Sequence, residues 1–149
     1  MRLQTEGIED LLHTVSQMGE RMEAVVPEML QAGGNAAKAA MQETAAWADN
    51  TGVLRRSIKV SAVKGEGSMR YVDVSPTGTH HGSQTNAQVG FSLEYGRGAH
   101  TFKRATSRGR MKRYTVGAMA PRPWIHKAME DSERIVGAMR AVMEARLNG

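Results

Sequence analysis

Apolar residues recur at three- and four-residue spacing through the start of the chain: Ile8, Leu11, Leu12, Val15, Met18, Met22, Val25 and Val26. That spacing predicts an amphipathic helix, because residues three and four apart share one helical face. Pro27 interrupts the pattern, since a proline inside a helix removes a backbone hydrogen bond. A second helix is therefore expected from about Pro27 to Ala48, with the proline in its first turn. Met29, Leu30, Ala37, Ala40, Met41 and Trp47 supply its apolar positions. Gly33-Gly34 weakens it locally by roughly 1 kcal/mol per glycine relative to alanine. Its small alanines admit close approach by a neighbouring element, and Asp49-Asn50-Thr51-Gly52 ends it.

After Gly52 the period changes. Leu54, Ile58, Val60 and Ala62 alternate imperfectly with polar residues, as a half-buried strand does. Lys64-Gly65-Glu66-Gly67-Ser68 reads as a hairpin turn, and Tyr71 to Val74 as the returning strand. Ser75 to Asn86 is expected as a loop, and Ala87 to Leu93 as a third strand running into Glu94-Tyr95-Gly96. Tyr114-Thr115-Val116 is a short fourth strand. The segment before it, about 97–113, is expected either as a disordered loop or as the arms of an extended hairpin. Pro121-Arg122-Pro123 opens a last helix, with Ile125, Ala128, Ile135, Met139, Val142, Met143 and Leu147 on its apolar side. This order predicts one α+β domain over residues 1–149: two N-terminal helices, an antiparallel sheet of three to four strands with long loops, and a C-terminal amphipathic helix packed on the sheet.

Composition narrows the picture. A chain of 149 residues is long enough to bury a core. It has no apolar run approaching the ~20 residues of a membrane span, so no membrane partner is expected. The opening Met1-Arg2-Leu3-Gln4-Thr5-Glu6 lacks the apolar stretch of a secretory signal. With no cysteine there are no disulfides and no thiolate metal sites. Eleven methionines against seven aromatic residues point to soft, adaptable packing.

Chemistry for catalysis is missing. His80-His81 is a poor metal pair, because adjacent residues seldom ligate one ion, and a solvated loop is the simpler reading. Neither the Gly-x-Ser-x-Gly nucleophile turn nor a phosphate-cradling Gly-x-x-x-x-Gly-Lys motif occurs. Gly96-Arg97-Gly98 is a turn signal. No enzyme activity, cofactor or metal is expected. Glu94 is expected either as an exposed strand-end residue or as half of a salt bridge with Arg55, Arg56 or Arg122. Trp124 is expected as a core anchor.

Charge is the one feature that points to a partner. The formal net charge is +5. Arg97, Lys103, Arg104, Arg108, Arg110, Lys112 and Arg113 fall within seventeen residues that hold no acid. Such a run suits phosphate contact, with affinity that falls as salt rises. No base-reading motif accompanies it, so DNA contact would be independent of sequence. A charged arm docking on an acidic protein and a solvated, mobile loop are the other two readings.

Three segments carry a family resemblance: Thr51-Gly52-Val53-Leu54-Arg55-Arg56-Ser57-Ile58, then Leu93-Glu94-Tyr95-Gly96, then Arg122-Pro123-Trp124. In this order the chain resembles the tail-component family of tailed bacteriophages with long, non-contractile tails, known as neck or tail-completion proteins. The family-pattern residues are Thr51, Gly52, Leu54, Arg55, Ser57, Ile58, Glu94, Tyr95, Gly96, Arg122, Pro123 and Trp124. The resemblance implies a structural virion protein, made in the host cytoplasm and placed at the head-to-tail junction. It would form a homo-oligomeric ring, hexameric or dodecameric, around the DNA channel. Its neighbours would be head-completion or connector proteins and tail-terminator or tail-tube proteins, with non-specific contact to genomic DNA. The long basic link from Arg97 to Ala120 departs from the family pattern. A small basic protein that binds DNA without sequence preference is the alternative.

Overall fold

A computed structural model describes residues 8–46 and 51–148 of the chain. The elements in order are α1 (Ile8–Glu43), α2 (Val53–Ser57), β1 (Ile58–Val60), β2 (Val74–Pro76), β3 (Thr79–His81), β4 (Gln84–Thr85), α3 (Asn86–Tyr95), β5 (His100–Ala105), β6 (Met111–Val116), α4 (Trp124–Met129) and α5 (Ser132–Leu147). The class is α+β, as expected. Trp47, Asp49 and Asn50, and with them the expected helix end near Ala48, lie outside the described residues. No helix among the described residues is long and apolar enough to cross a membrane. The chain forms two compact units, each built from separated segments.

The first unit comprises the chain up to Ala37, Val60–Asp73 and Glu133 onward. Here the two helices expected on either side of Pro27 are one, with the proline inside α1. A proline at position 27 leaves the carbonyl of Glu23 without its helical donor. Arg70 Nη1 donates to that carbonyl at 2.9 Å, and its Nη2 lies 3.7 Å from the Glu23 carboxylate. The orphaned acceptor is thus satisfied from another segment, and the helix runs on. Gly33 and Gly34 are buried where other segments come close to α1. A Cβ on Gly33 would stand 2.8 Å from Met139, and one on Gly34 2.6 Å from Val60. Arg146 of α5 grips Glu28 through two bonds of 2.9 and 3.0 Å. The Lys64–Tyr71 bridge closes the turn expected at 64–68, and Lys64 pairs with Asp73 at 2.6 Å.

The second unit comprises Lys38–Lys59 and Val74–Ser132. Its core is Ala40, Met41, Leu54, Ile58, Trp124 and Ala128, flanked by Val74, Val89, Leu93 and Ile125. Leu54 and Ile58 stand four residues apart, so the turn of helix α2 points both inward. The alternation from Leu54 that predicts a strand is therefore half helical, and the strand starts only at Ile58.

The segment expected as a third strand, Ala87 to Leu93, is helix α3. Thr85 and Gln88 form a capping box: the Thr85 hydroxyl accepts from Gln88 N at 3.2 Å, and Gln88 Oε1 accepts from Thr85 N at 2.9 Å. That pair satisfies two backbone donors at once and commits the segment to helix. With it gone from the sheet, the expected sheet of three to four strands becomes three pairs, β1-β2, β3-β4 and β5-β6. The loop expected at 75–86 holds the β3-β4 hairpin, and the last helix is split into α4 and α5.

Candidate functional site

The three family-pattern segments converge in the second unit, where they act as joints. Gly52 has φ 67, a left-handed conformation that favours glycine, and precedes α2. Thr51 Oγ1 accepts from Val53 N at 3.3 Å, and its carbonyl accepts from Arg56 Nη2 at 2.9 Å. Arg55 donates to the carbonyl of Gln42 and, at 2.7 Å, to that of Thr44, while Gln42 Nε2 donates to the Arg55 carbonyl at 2.9 Å. The last turn of α1 has no basic residue of its own. Arg55 supplies that charge and satisfies terminal carbonyls. Ser57 Oγ closes the α2 turn on the Leu54 carbonyl at 2.7 Å.

Glu94 is 8% exposed and sits at the end of a helix, not a strand. Its carboxylate turns to backbone amides and not to an arginine: it accepts from Ile125 N at 2.7 Å and His126 N at 3.2 Å. The residue before α4 is Pro123, which offers no side-chain cap. Glu94 takes over that function from α3, and a carboxylate there also complements the positive helix end. Trp124 is fully buried, with Nε1 donating to the Gly90 carbonyl at 3.0 Å. Arg122 N donates to the Leu93 carbonyl at 2.7 Å. Tyr95 is exposed and stacks on Phe91 with ring centroids 6.1 Å apart.

The seven cations of the basic run separate into two sets. Arg97 stands apart at the foot of the hairpin. It exchanges backbone hydrogen bonds with Met119 at 3.0 and 2.9 Å, and its Nε is buried with no hydrogen-bond partner among the described residues. The other six belong to the β5-β6 hairpin, which settles the choice between loop and hairpin. Six residue pairs oppose one another, from His100↔Val116 to Ala105↔Met111. Thr106 N donates to the Arg110 carbonyl at 2.8 Å and Gly109 N to the Thr106 carbonyl at 2.9 Å. Gly109, at φ 73, supplies the left-handed residue such a turn needs.

Every residue of both strands is exposed except Val116, which is half-buried. Phe102 stacks on Tyr114 at 5.6 Å, Lys112 Nζ lies 5.7 Å from the Tyr114 ring centre, and Thr101 meets Thr115 at 3.2 Å. Lys103 opposes Arg113 and Arg104 opposes Lys112. The hairpin's chemistry is electrostatic: a dense, solvent-facing positive surface with no acid within it.

His80 Nδ1 bonds the buried Asn86 side chain at 3.0 Å, and Asn86 in turn donates to the Thr77 carbonyl at 2.7 Å, a loop-fixing network. Among the described residues no three metal-ligating side chains cluster.

A model of the family described as "Bacteriophage HK97-gp10, putative tail-component" matches residues 9–96 of this chain, more than half its length. No curated protein and no solved structure matches it.

Proposed function

The chain belongs to the HK97-gp10-like family of phage tail components, and from that premise we propose that it is a structural protein of the virion's head-to-tail region. In this reading it forms a closed ring, six- or twelve-fold, that joins the connector to the tail tube around the DNA channel. Its neighbours are head-completion or connector proteins on one side and tail-terminator or tail-tube proteins on the other. The protein is non-enzymatic. It is made in the host cytoplasm and ends in the particle.

The family match carries the proposal. The surfaces of the folded chain support it, because they are those of a subunit awaiting neighbours. All of residues 13–24 in α1 are exposed, including Val15, Met18 and Met22 on one helical stripe. Among the described residues the sheets are two-stranded, so every strand is an edge strand, the kind that can pair with a neighbouring chain.

Native mass spectrometry of the full chain, alone and with its connector and tail-tube neighbours, tests the reading. Expected is a six- or twelve-fold multiple of the 16.2 kDa protomer, formed alone or on adding a neighbour. A small oligomer that binds no neighbour and holds duplex DNA tightly would favour the basic DNA-binding alternative, which the exposed cationic hairpin supports.

A further inference from the structure

We propose that the β5-β6 hairpin is a duplex-DNA contact that enters a groove between two phosphate backbones, with no sequence preference. The inference rests on the hairpin alone and holds whether or not the protein forms a ring.

The placement of charge carries the argument. In an antiparallel pair, directly opposed residues lie on the same face and neighbours alternate. One face therefore holds His100, Phe102 and Arg104 opposite Val116, Tyr114 and Lys112. The other holds Thr101, Lys103 and Ala105 opposite Thr115, Arg113 and Met111. Each face bears one cation-cation pair across the strands, and Arg108 and Arg110 add charge at the tip. The face that holds Phe102 and Tyr114 also carries Arg104 and Lys112, so neither face is apolar throughout. This hairpin is cationic on both faces and at its tip, which matches anions on two sides.

Size agrees with the same partner. The strands carry the charge out roughly 17 Å from the foot, at about 3.4 Å per residue. A two-stranded ribbon fits the major groove, about 12 Å wide.

Energetics point the same way. Like charges directly opposed destabilise a strand pair, and an isolated two-stranded hairpin is marginal in water. No acidic residue occurs between Tyr95 and Met129 to offset the repulsion. A polyanion does offset it, so binding both uses and stabilises the hairpin. Single strands are usually held by bases stacking on open aromatic faces. Here Phe102 and Tyr114 stack on each other at 5.6 Å, so one face of each ring is already engaged, and Lys112 Nζ lies 5.7 Å from the Tyr114 ring centre. The aromatics stiffen the stem and leave the cations to make contact, which favours duplex over single strand.

The test is fluorescence anisotropy of a labelled 20-base-pair duplex of mixed sequence, titrated with the full chain between 50 and 200 mM salt. If four phosphates are neutralised, affinity falls roughly a hundredfold over that range, at a slope near −0.9 per phosphate. The variant K103S/R104S/K112S/R113S should lose at least tenfold in affinity at 50 mM salt and flatten the slope, while K103R/K112R should bind as the parent does. Circular dichroism checks that each variant is folded. Should the fourfold variant unfold, R108S/R110S in the exposed turn reads the same effect, with a smaller loss. Unchanged binding in a folded variant overturns the proposal. So does tighter binding to a single-stranded 20-mer, or to a polyglutamate peptide of matched charge, which would assign the hairpin to an acidic protein.

Discussion

Replacing Glu94 by alanine removes a cap that α4 cannot supply for itself. The carboxylate accepts two backbone hydrogen bonds, from Ile125 N at 2.7 Å and His126 N at 3.2 Å, and is 8% exposed. Bonds to a charged acceptor contribute about 1.5–3 kcal/mol each in favourable geometry, and loss of a helix N-cap costs about 0.5–2 kcal/mol. The two bonds act as one cap, and the second is long, so the values overlap. The expected loss is about 2–4 kcal/mol. Glu94→Gln keeps one acceptor oxygen and should lose about 1–2 kcal/mol. Urea unfolding followed by circular dichroism reads both. With a slope of about 2 kcal/mol per molar urea, the alanine variant's midpoint should fall by about 1–2 M with the slope unchanged. An alanine variant within about 0.5 kcal/mol of the parent, the range of ordinary surface changes, would refute the capping assignment. A glutamine variant as unstable as alanine would refute the part given to hydrogen bonding.

Pro27 and Arg70 should be coupled. Arg70→Ala alone loses the bond to the Glu23 carbonyl, whereas in a Pro27→Ala background residue 27 regains an N–H for that acceptor. The double-mutant cycle should give a coupling of about 0.5–1.5 kcal/mol, and additive effects would remove the assignment. Gly90→Ala would place a Cβ 3.1 Å from the Trp124 ring and 3.2 Å from Pro76, so it should destabilise by about 1–3 kcal/mol in thermal unfolding. Gly137→Ala, in the exposed interior of α5 with nothing within 4 Å, should stabilise by about 0.5–1 kcal/mol. A hydrogen bond from Lys64 to Asp73, together with the charge attraction between them, raises the Lys64 ammonium above its ordinary 10.5. Its folded-state value exceeds its unfolded one, so the pair's contribution is complete below pH 10.5 and lost as pH rises through the raised value. Lys64→Met should flatten the stability profile in that alkaline window.

Helix content was legible where the apolar period was strong, as in α1 and the C-terminal segment. Breaks in those helices were not, because they depend on contacts between distant segments. Nothing near Pro27 in the chain announces that Arg70 will satisfy the Glu23 carbonyl. The third strand misled for a different reason. Alternation from Ala87 to Leu93 argued for a strand, yet Thr85-Asn86-Ala87-Gln88 already spelled a capping box, and Val89 and Leu93 share a helical face. Glu94 was visible as a carboxylate in want of a partner. That the partner is a pair of amides 31 and 32 residues onward follows only from the fold, as does the pairing of Arg55 with the end of α1. The basic hairpin was foreshadowed by charge alone. Its register, which places a cation pair on each face, needed the strands.

The ring at the head-to-tail junction is tested most directly by an averaged electron cryomicroscopy map of particles that carry the full chain with a small label. The account predicts label density repeated around a closed ring at that junction, enclosing the DNA path. Label at the tail tip, along the tube, or absent from the particle would contradict it.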